Sequence, residues 1–156
     1  MSIITPHEFE ALLPLAYAWA AEQERIILKS GVPLTESQLA DAKSIGVLQP
    51  ERVRLLRVTQ IPMPTDPALA AAVTTAGFIS PVTGGLAVRY GIFIRDDCWA
   101  QRHILVHLLV HVMQYERLGG INGFLRPYLF ECLIPPGYPY GPLEREALEA
   151  SMRLCG

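Results

Sequence analysis

The chain has 156 residues, enough for one domain that buries a hydrophobic core without the help of disulfide bonds. Apolar residues make up 51% of the chain and charged residues 18%, which excludes an intrinsically disordered protein and indicates a globular one. The formal net charge is -2 and the lysines and arginines are scattered, so nucleic acid is excluded as an expected partner. We therefore expect a single domain over residues 1–156.

The cysteines and the apolar segments indicate where such a protein resides. Cys98, Cys132 and Cys155 are odd in number and have no C-x-x-C spacing, which argues against a disulfide framework and against a thiolate zinc knot. The N-terminus, MSIITPHEFE, lacks the basic and apolar regions of a secretory signal. The most apolar run, 104–115, is too short to cross about 30 Å of hydrocarbon. These features predict a cytoplasmic protein with no membrane partner.

The first elements of the chain are predicted to be helical. The segment TPHE, beginning at Thr5, is a capping box with proline at the first helical position, and it predicts a helix that runs to Gly31. Pro14 lies inside this helix, where a proline can produce a kink. A second capping signal begins at Thr35 and predicts a short helix that ends near Gly46.

The middle of the chain contains the strand signals. Residues 52–61, RVRLLRVTQI, are rich in β-branched residues and predict a strand that stops at the following Pro-Met-Pro segment. Asp66 and the proline after it predict a short helix that ends before Gly77. Residues 86–95 alternate roughly between apolar and polar, which predicts either one long strand or a tight hairpin about Tyr90.

The last part of the chain is again helical. Asp96 and Asp97 are expected to cap a histidine-bearing helix that ends at the Gly119-Gly120 pair. A helix over about 122–133 and another that begins at Gly141-Pro142 are predicted to follow. The elements together predict an α+β, mostly helical fold, with a small antiparallel or mixed sheet packed on the histidine helix.

Three histidines occur at four-residue intervals in the segment HILVHLLVHVMQYERLGG. Side chains four apart on a helix project side by side with an offset of about 40°, so His107 and His111 can offer two ring nitrogens to one tetrahedral cation. His103 and His111 are separated by roughly 12 Å along the helix axis and cannot share that ion. Gln114 lies on the same stripe. The predicted pair is therefore His107 and His111.

The surroundings of these imidazoles allow two interpretations. The helix is apolar on nearly every side, which predicts a central core position. A buried polar group without a partner costs roughly 1–3 kcal/mol, and a shared cation would satisfy both rings at once. Hydrogen bonds to a tyrosine or a carbonyl, as in an ordinary core histidine, would also satisfy them. Spacing and burial alone leave both interpretations open.

The segment LVHLLVHVMQYERLGG resembles the active-site helix of small bacterial zinc-peptidase-like domains of the zincin type, in which an HExxH motif is followed by a Gln-Tyr pair. Two further segments support the resemblance. The preceding GIFIR resembles the edge strand that zincins place before this helix, and PLEREALEA resembles the glutamate helix of the gluzincin branch. The resemblance covers residues 90–150 and leaves the N-terminal half without a motif.

The resemblance implies a zincin-like fold and a zinc site. His107 and His111 match the two histidine ligands, and Glu146, which is followed by alanine, best matches the third ligand. Glu144 is the alternative, although its place in the first turn of a helix also suits an acid that complements the helix dipole. For both glutamates an ordinary solvated helix face is the competing interpretation. Two histidines and a glutamate leave a fourth zinc position for water, as in catalytic sites.

The chain departs from the family pattern at the position that carries the chemistry. Leu108 stands where the HExxH glutamate acts as general base, a role that contributes about 10²–10⁴-fold to rate. Leucine can neither accept nor relay a proton, so efficient peptide hydrolysis is not expected. Glu149 and Tyr140 are the residues that the fold could bring in as substitutes. Ala150 stands where thermolysin-like enzymes carry an aspartate that braces a histidine.

Three functional hypotheses follow. The preferred one is a degenerate zinc-metallopeptidase-like domain that binds metal but has little or no hydrolase activity. The second is an active metal-dependent hydrolase that uses another base, and the third is a metal-free structural or binding domain. A peptide or protein is the expected partner, with the loop that carries Tyr138 and Tyr140 as the candidate contact surface. The sequence does not indicate an oligomeric state.

Overall fold

The structure of the protein is a computed structural model that describes residues 4–156. Residues 1–3, which belong to the N-terminal segment examined for a secretory signal, lie outside this range. The described residues form six α-helices and a four-stranded sheet, in the order α1 (Pro6–Ser30), β1 (Val32–Pro33), α2 (Glu36–Ser44), β2 (Arg54–Val58), α3 (Pro67–Ala76), β3 (Gly85–Val88), β4 (Gly91–Arg95), α4 (Arg102–Arg117), α5 (Ile121–Leu133) and α6 (Pro142–Cys155). The predicted α+β, mostly helical architecture is confirmed.

The helix boundaries in the first half agree with the capping signals. Thr5 accepts a hydrogen bond from the Glu8 backbone N–H, and the Glu8 side chain accepts one from the Thr5 N–H. The same reciprocal pair occurs between Thr35 and Gln38 at the start of α2. Asp66 caps α3, which ends at Gly77 in the left-handed conformation that glycine adopts without strain. These three helices begin where the sequence predicts.

The sheet is mixed, with the strand order β1-β2-β4-β3. β2 and β4 are parallel, whereas β1 pairs with β2 and β3 pairs with β4 in antiparallel fashion. Of the two possibilities for residues 86–95, the hairpin is therefore confirmed, with Arg89 and Tyr90 in its turn. The strand predicted over 52–61 is shorter, because residues 50–52 form a 3₁₀ turn before it and pairing with β4 stops at Val58.

Two expectations about the approach to the histidine helix are corrected. The GIFIR segment is β4, an interior strand between β2 and β3, and β3 forms the edge of the sheet instead. The order arises because the hairpin places β3 on the outer side of β4. Asp96 and Asp97 do not cap α4, since residues 96–98 form a 3₁₀ turn and the Asp97 carboxylate pairs with Arg95. Gln101 occupies the N-cap position of α4.

The sheet lies between two helices. Ile92 and Ile94 of β4 belong to the core cluster that contains the α4 residues Leu105, Leu109 and Val112. Phe93 points to the opposite face, where it belongs to the cluster that contains Ile27 of α1. Since both faces of β4 are covered, its first four residues are buried. α4 is thus a central helix, and its remaining face is free to meet α6.

The close approach of α1 to the sheet depends on Gly91. A Cβ atom at this position would lie 2.9 Å from the Cβ of Ile27, whose side chain is fully buried. Ile27 is β-branched and has little rotamer freedom in a helix, so it cannot move aside. We expect Gly91→Ala to lower the free energy of unfolding by about 1–3 kcal/mol, as measured by urea denaturation. An unchanged unfolding midpoint would contradict this packing.

Within residues 4–156, none of the helices has the combination of length and apolar character that crossing a bilayer requires.

Candidate metal centre

Two histidine side chains of α4 meet one carboxylate of α6. The Nε2 atom of His107 lies 2.9 Å from one oxygen of Glu144, and the Nε2 atom of His111 lies 3.0 Å from the other. The potential ligand atoms of the three residues all lie within 4.8 Å of one another. His111 and Glu144 are buried, and His107 is partly exposed. The predicted histidine pair is therefore brought together as the helical spacing requires.

Glu144 reaches the imidazoles because of its place on α6. The buried residues of this helix are Leu143, Glu144, Ala147 and Ser151, which recur at three- and four-residue intervals and define the face that packs on α4. The backbone N–H of Leu143 donates to the Glu131 carboxylate, which fixes the start of the helix against α5. The first turn of α6 thus directs a carboxylate inwards, a role beyond that of a helix-dipole acid.

The expectation that Glu146 is the carboxylate that meets the two histidines is corrected. Glu146 lies two residues further along α6, at the edge of the buried face, and its two oxygens accept hydrogen bonds from the Arg117 guanidinium at 2.7 and 2.8 Å. The hydrogen bond from Arg117 lowers the pKa of Glu146 to about 2, so this carboxylate is ionised and already paired. Glu144, the alternative, occupies the position beside the rings.

Gln114 fixes the orientation of the His111 ring. The Gln114 amide nitrogen donates to the Leu143 carbonyl at 2.9 Å and to Glu146 at 2.7 Å, and both of these partners can only accept. The amide oxygen of Gln114 must therefore face His111, and it lies 2.7 Å from the Nδ1 atom of that ring. Because this oxygen can only accept, Nδ1 of His111 carries a proton.

The proton on Nδ1 determines which kind of atom the His111 ring directs at the Glu144 carboxylate. With the proton of a neutral His111 ring on Nδ1, the Nε2 atom presents a lone pair to the nearest oxygen of Glu144. That oxygen also accepts a hydrogen bond from the Tyr128 hydroxyl at 2.8 Å. Two electron-rich atoms at 3.0 Å require a positive centre between them, either a second proton on the ring or a metal ion. The arrangement of the ring is the one that metal-bound histidines adopt, with the distal nitrogen held by a hydrogen bond.

The electrostatics of the buried groups agree with a charged carboxylate. Burial raises the pKa of Glu144, but the hydrogen-bond contacts of its carboxylate with His107 and His111 outweigh this effect and hold the pKa well below its usual range. Burial raises the pKa of Tyr128 well above its ordinary value, so its hydroxyl remains a donor to Glu144. The cluster therefore contains a desolvated anion, two imidazoles and one neutral donor.

Other residues predicted for the site lie elsewhere. Leu108 is 5% exposed and packs against the backbone of β3, where a Cβ on Gly85 would lie 2.5 Å from its Cδ1 atom. His103 is exposed and does not join the cluster. Glu149 is exposed and lies five residues after Glu144, so it points about 140° away around the helix. Tyr140 is 63% exposed in the loop before α6. The structure brings neither proposed substitute base to the cluster.

A cavity of about 110 Å³ opens beside the cluster. His107, His111 and Glu144 form one wall, and the other walls are mostly aromatic and aliphatic, with contributions from Ala16, Trp19, Phe78, Leu86, Leu108, Phe124, Leu125 and Tyr138. A shallower depression of about 370 Å³ lies on the outer side, and it shares Gly85, His107, Leu108 and Tyr138 with the cavity. The ring of His107 thus lies between an apolar interior and an outer surface.

The contact of Gln114 with His111 gives a testable expectation. Removing an outer partner of a metal-binding histidine lowers metal affinity by about 10- to 100-fold, so if His111 binds zinc we expect Gln114→Ala to weaken that binding by this factor. Competition with a chromophoric chelator measures the affinity. The matched control is Gln101→Ala, which removes an exposed glutamine of the same helix region and leaves the affinity unchanged. Equal affinities for Gln114→Ala and the wild type would contradict a positioning role.

Sequence reasoning names two of the further contributors to this site, Gln114 and Glu144, without their roles, and it misses Tyr128. The helical spacing places Gln114 on the histidine stripe but does not indicate its contact with His111. Glu144 was ranked below Glu146, although the recurrence of Leu143, Ala147 and Ser151 around it indicated a buried helix face. That periodicity was the available signal. No comparable signal marks Tyr128, because its approach to Glu144 depends on how α5 packs.

Comparisons of the chain with models of protein families, with curated proteins and with solved structures find no match.

Proposed function

We propose that this chain is a metal-binding domain of the zincin type that lacks an efficient hydrolytic step. His107, His111 and Glu144 would hold a divalent ion, with zinc as the ion that best suits two imidazoles and one carboxylate. The support is the resemblance of the histidine helix together with the convergence of these three side chains. The proposal revises the expected ligand set, since Glu144 replaces Glu146.

One observation carries the metal proposal. The Gln114 amide directs the bare Nε2 atom of a neutral His111 at Glu144, and the Nε2 atom of His107 faces the same carboxylate. Without a metal, a second proton on His111 together with an Nε2 proton on His107 would satisfy the same contacts. A metal ion would satisfy all three groups and the electrostatic demand of the buried carboxylate. A hydrogen-bonded core without metal is therefore the competing explanation, and metal analysis distinguishes the two.

The ion would supply Lewis acidity and would lower the pKa of a bound water molecule. The residues around it do not supply the proton transfer that peptide hydrolysis also requires. Leu108 occupies the general-base position, and both Glu149 and Tyr140 point elsewhere. The hypothesis of an active hydrolase with a substitute base therefore has no supporting contact. We propose that the domain acts by binding.

The proposed setting is a reducing cytoplasm, which is supported by the three free cysteines at Cys98, Cys132 and Cys155. The aromatic residues of the loop before α6 remain the candidate surface for a peptide or protein partner. Tyr140 is exposed in this loop, whereas Tyr138 is directed towards the cavity.

Metal analysis tests the proposal. Protein refolded from chelator and dialysed against zinc should retain about one ion per chain, and its melting temperature should rise with zinc concentration because zinc binds the folded state. His111→Ala should lose both properties, and His103→Ala, on the same helix but outside the cluster, should keep them. A wild-type protein that retains no zinc, and whose melting temperature ignores zinc and chelator, would establish the metal-free alternative.

A further inference from the structure

The cavity beside the cluster has a lining that favours one chemical class of ligand. Its walls away from the cluster are apolar, and the hydroxyl groups that border it are largely engaged. The Tyr115 hydroxyl donates to the Ala87 carbonyl, and the Tyr128 hydroxyl donates to Glu144. Such a space disfavours polar groups and rewards the burial of carbon atoms.

The wall formed by His107, His111 and Glu144 has the opposite character. Two neutral imidazoles and one carboxylate around a divalent ion leave a net charge of about +1. Because apolar side chains form most of the cavity wall, this charge is weakly screened on that side, and an anionic ligand is favoured at the remaining coordination position. Without the ion the same wall is negative because of Glu144, and an anion would be repelled.

Tyr138 adds a donor at the entrance. It lines both the cavity and the outer depression, and its hydroxyl makes no hydrogen bond with any residue among 4–156. It lies in the loop before α6, next to the carboxylate wall. This hydroxyl is therefore the donor that we expect to meet a negatively charged group bound at the cluster.

We propose that the site binds a small monocarboxylate with a branched aliphatic tail. In this arrangement the carboxylate meets the metal ion and the Tyr138 hydroxyl, and the tail fills the cavity lined by Ala16, Phe124 and Leu125. The inference rests on the proposed function, because the ion supplies the positive charge. The volume of about 110 Å³ sets the size of the tail. A cavity of roughly 150 Å³ accommodates benzene, so a branched group of about four carbons suits the smaller space.

The test uses the full chain, and its first step is to measure zinc content. The probe is 3-methylbutanoate, and binding is followed by the fluorescence of Trp19, which lines the cavity. Zinc-loaded protein should bind this acid about 10- to 100-fold more tightly than acetate, the gain expected from burying three further carbon atoms. Metal-free protein should not bind it, and 3-methylbutanol, which has the same tail without the charge, should bind more weakly.

Variants separate the tail from the head of the ligand. Ala16→Leu fills the cavity and should abolish the preference for 3-methylbutanoate over acetate while zinc content stays unchanged. Ala18→Leu is the matched control, since Ala18 is exposed on the same helix, and it should preserve the preference. Tyr138→Phe should weaken both acids by a similar factor, because it removes a donor to the shared carboxylate.

The outcomes distinguish the two proposals. If the protein holds zinc but binds 3-methylbutanoate no better than acetate, the ligand proposal is overturned and the metal proposal stands. If the protein holds no zinc, both are overturned. If Ala16→Leu fails to fold, the comparison of acid, acetate and alcohol in the wild type still decides the question.

Discussion

Glu144→Gln should lower the affinity of the chain for zinc by more than about 100-fold, since the loss of even an outer partner of a metal ligand costs about 10- to 100-fold. Glutamine has the same shape and can still accept the hydrogen bond from Tyr128, but it carries no charge. Among residues 4–156, Glu144 is the only anion that contacts both His107 and His111, and the substitution removes its charge. Competition titration with a chelator of known zinc affinity measures the change.

Glu146→Gln is the matched control for this experiment, because it removes the charge of the neighbouring glutamate on the same helix. It breaks the ion pair with Arg117 and alters the partner of Gln114, but it leaves the three converging side chains intact. We expect a loss of zinc affinity no greater than that of Gln114→Ala. A larger effect of Glu146→Gln than of Glu144→Gln would restore Glu146 as the third ligand and would refute the assignment.

Leu108→Glu should turn the zinc-loaded protein into a measurable peptidase. A positioned general base contributes about 10²–10⁴-fold to rate, and the leucine side chain borders both the cavity and the outer depression beside His107. A glutamate there would meet water at the cluster. Release of a fluorescent group from unstructured peptides should increase over the wild-type rate by about 10²-fold or more, and chelation should abolish the increase.

Leu108→Gln provides the control. Glutamine is polar and has the length of glutamate, but its amide cannot accept a proton from water. It should remain as inactive as the wild type. Leu108→Glu could hold zinc stoichiometrically and still cleave no peptide. In that case the chain would resemble zincins in the sequence of the histidine helix but not in catalytic activity. The metal proposal would survive that result, since it depends on Glu144 and the two histidines.

Local signals in the sequence account for most of the helices. Reciprocal capping pairs at Thr5 and Thr35 mark the starts of α1 and α2, and a glycine with positive φ ends α3. These features depend on residues within a few positions of each other, so the sequence displays them directly. The spacing of His107 and His111 belongs to the same class, because one turn of helix fixes it.

Features that depend on distant parts of the chain were predicted less well. The position of GIFIR inside the sheet follows from its pairing with β2, more than thirty residues earlier, and no local pattern specifies that partner. Asp96 and Asp97 suit a helix cap by residue type, yet Arg95 engages the second of them. The choice between Glu144 and Glu146 depended on which side of α6 faces α4, which the small apolar stripe indicated only weakly.

The interface between α4 and α6 contains many polar and charged side chains. Few apolar side chains of α6 are buried there, and Gln114, Glu144 and the Glu146–Arg117 pair provide much of the remaining contact. Polar and charged groups therefore contribute to the attachment of α6, together with the buried side chains of Leu143 and Ala147. A cation bound by His107, His111 and Glu144 would link α6 to α4. Binding of the ion and attachment of α6 would then form one coupled equilibrium.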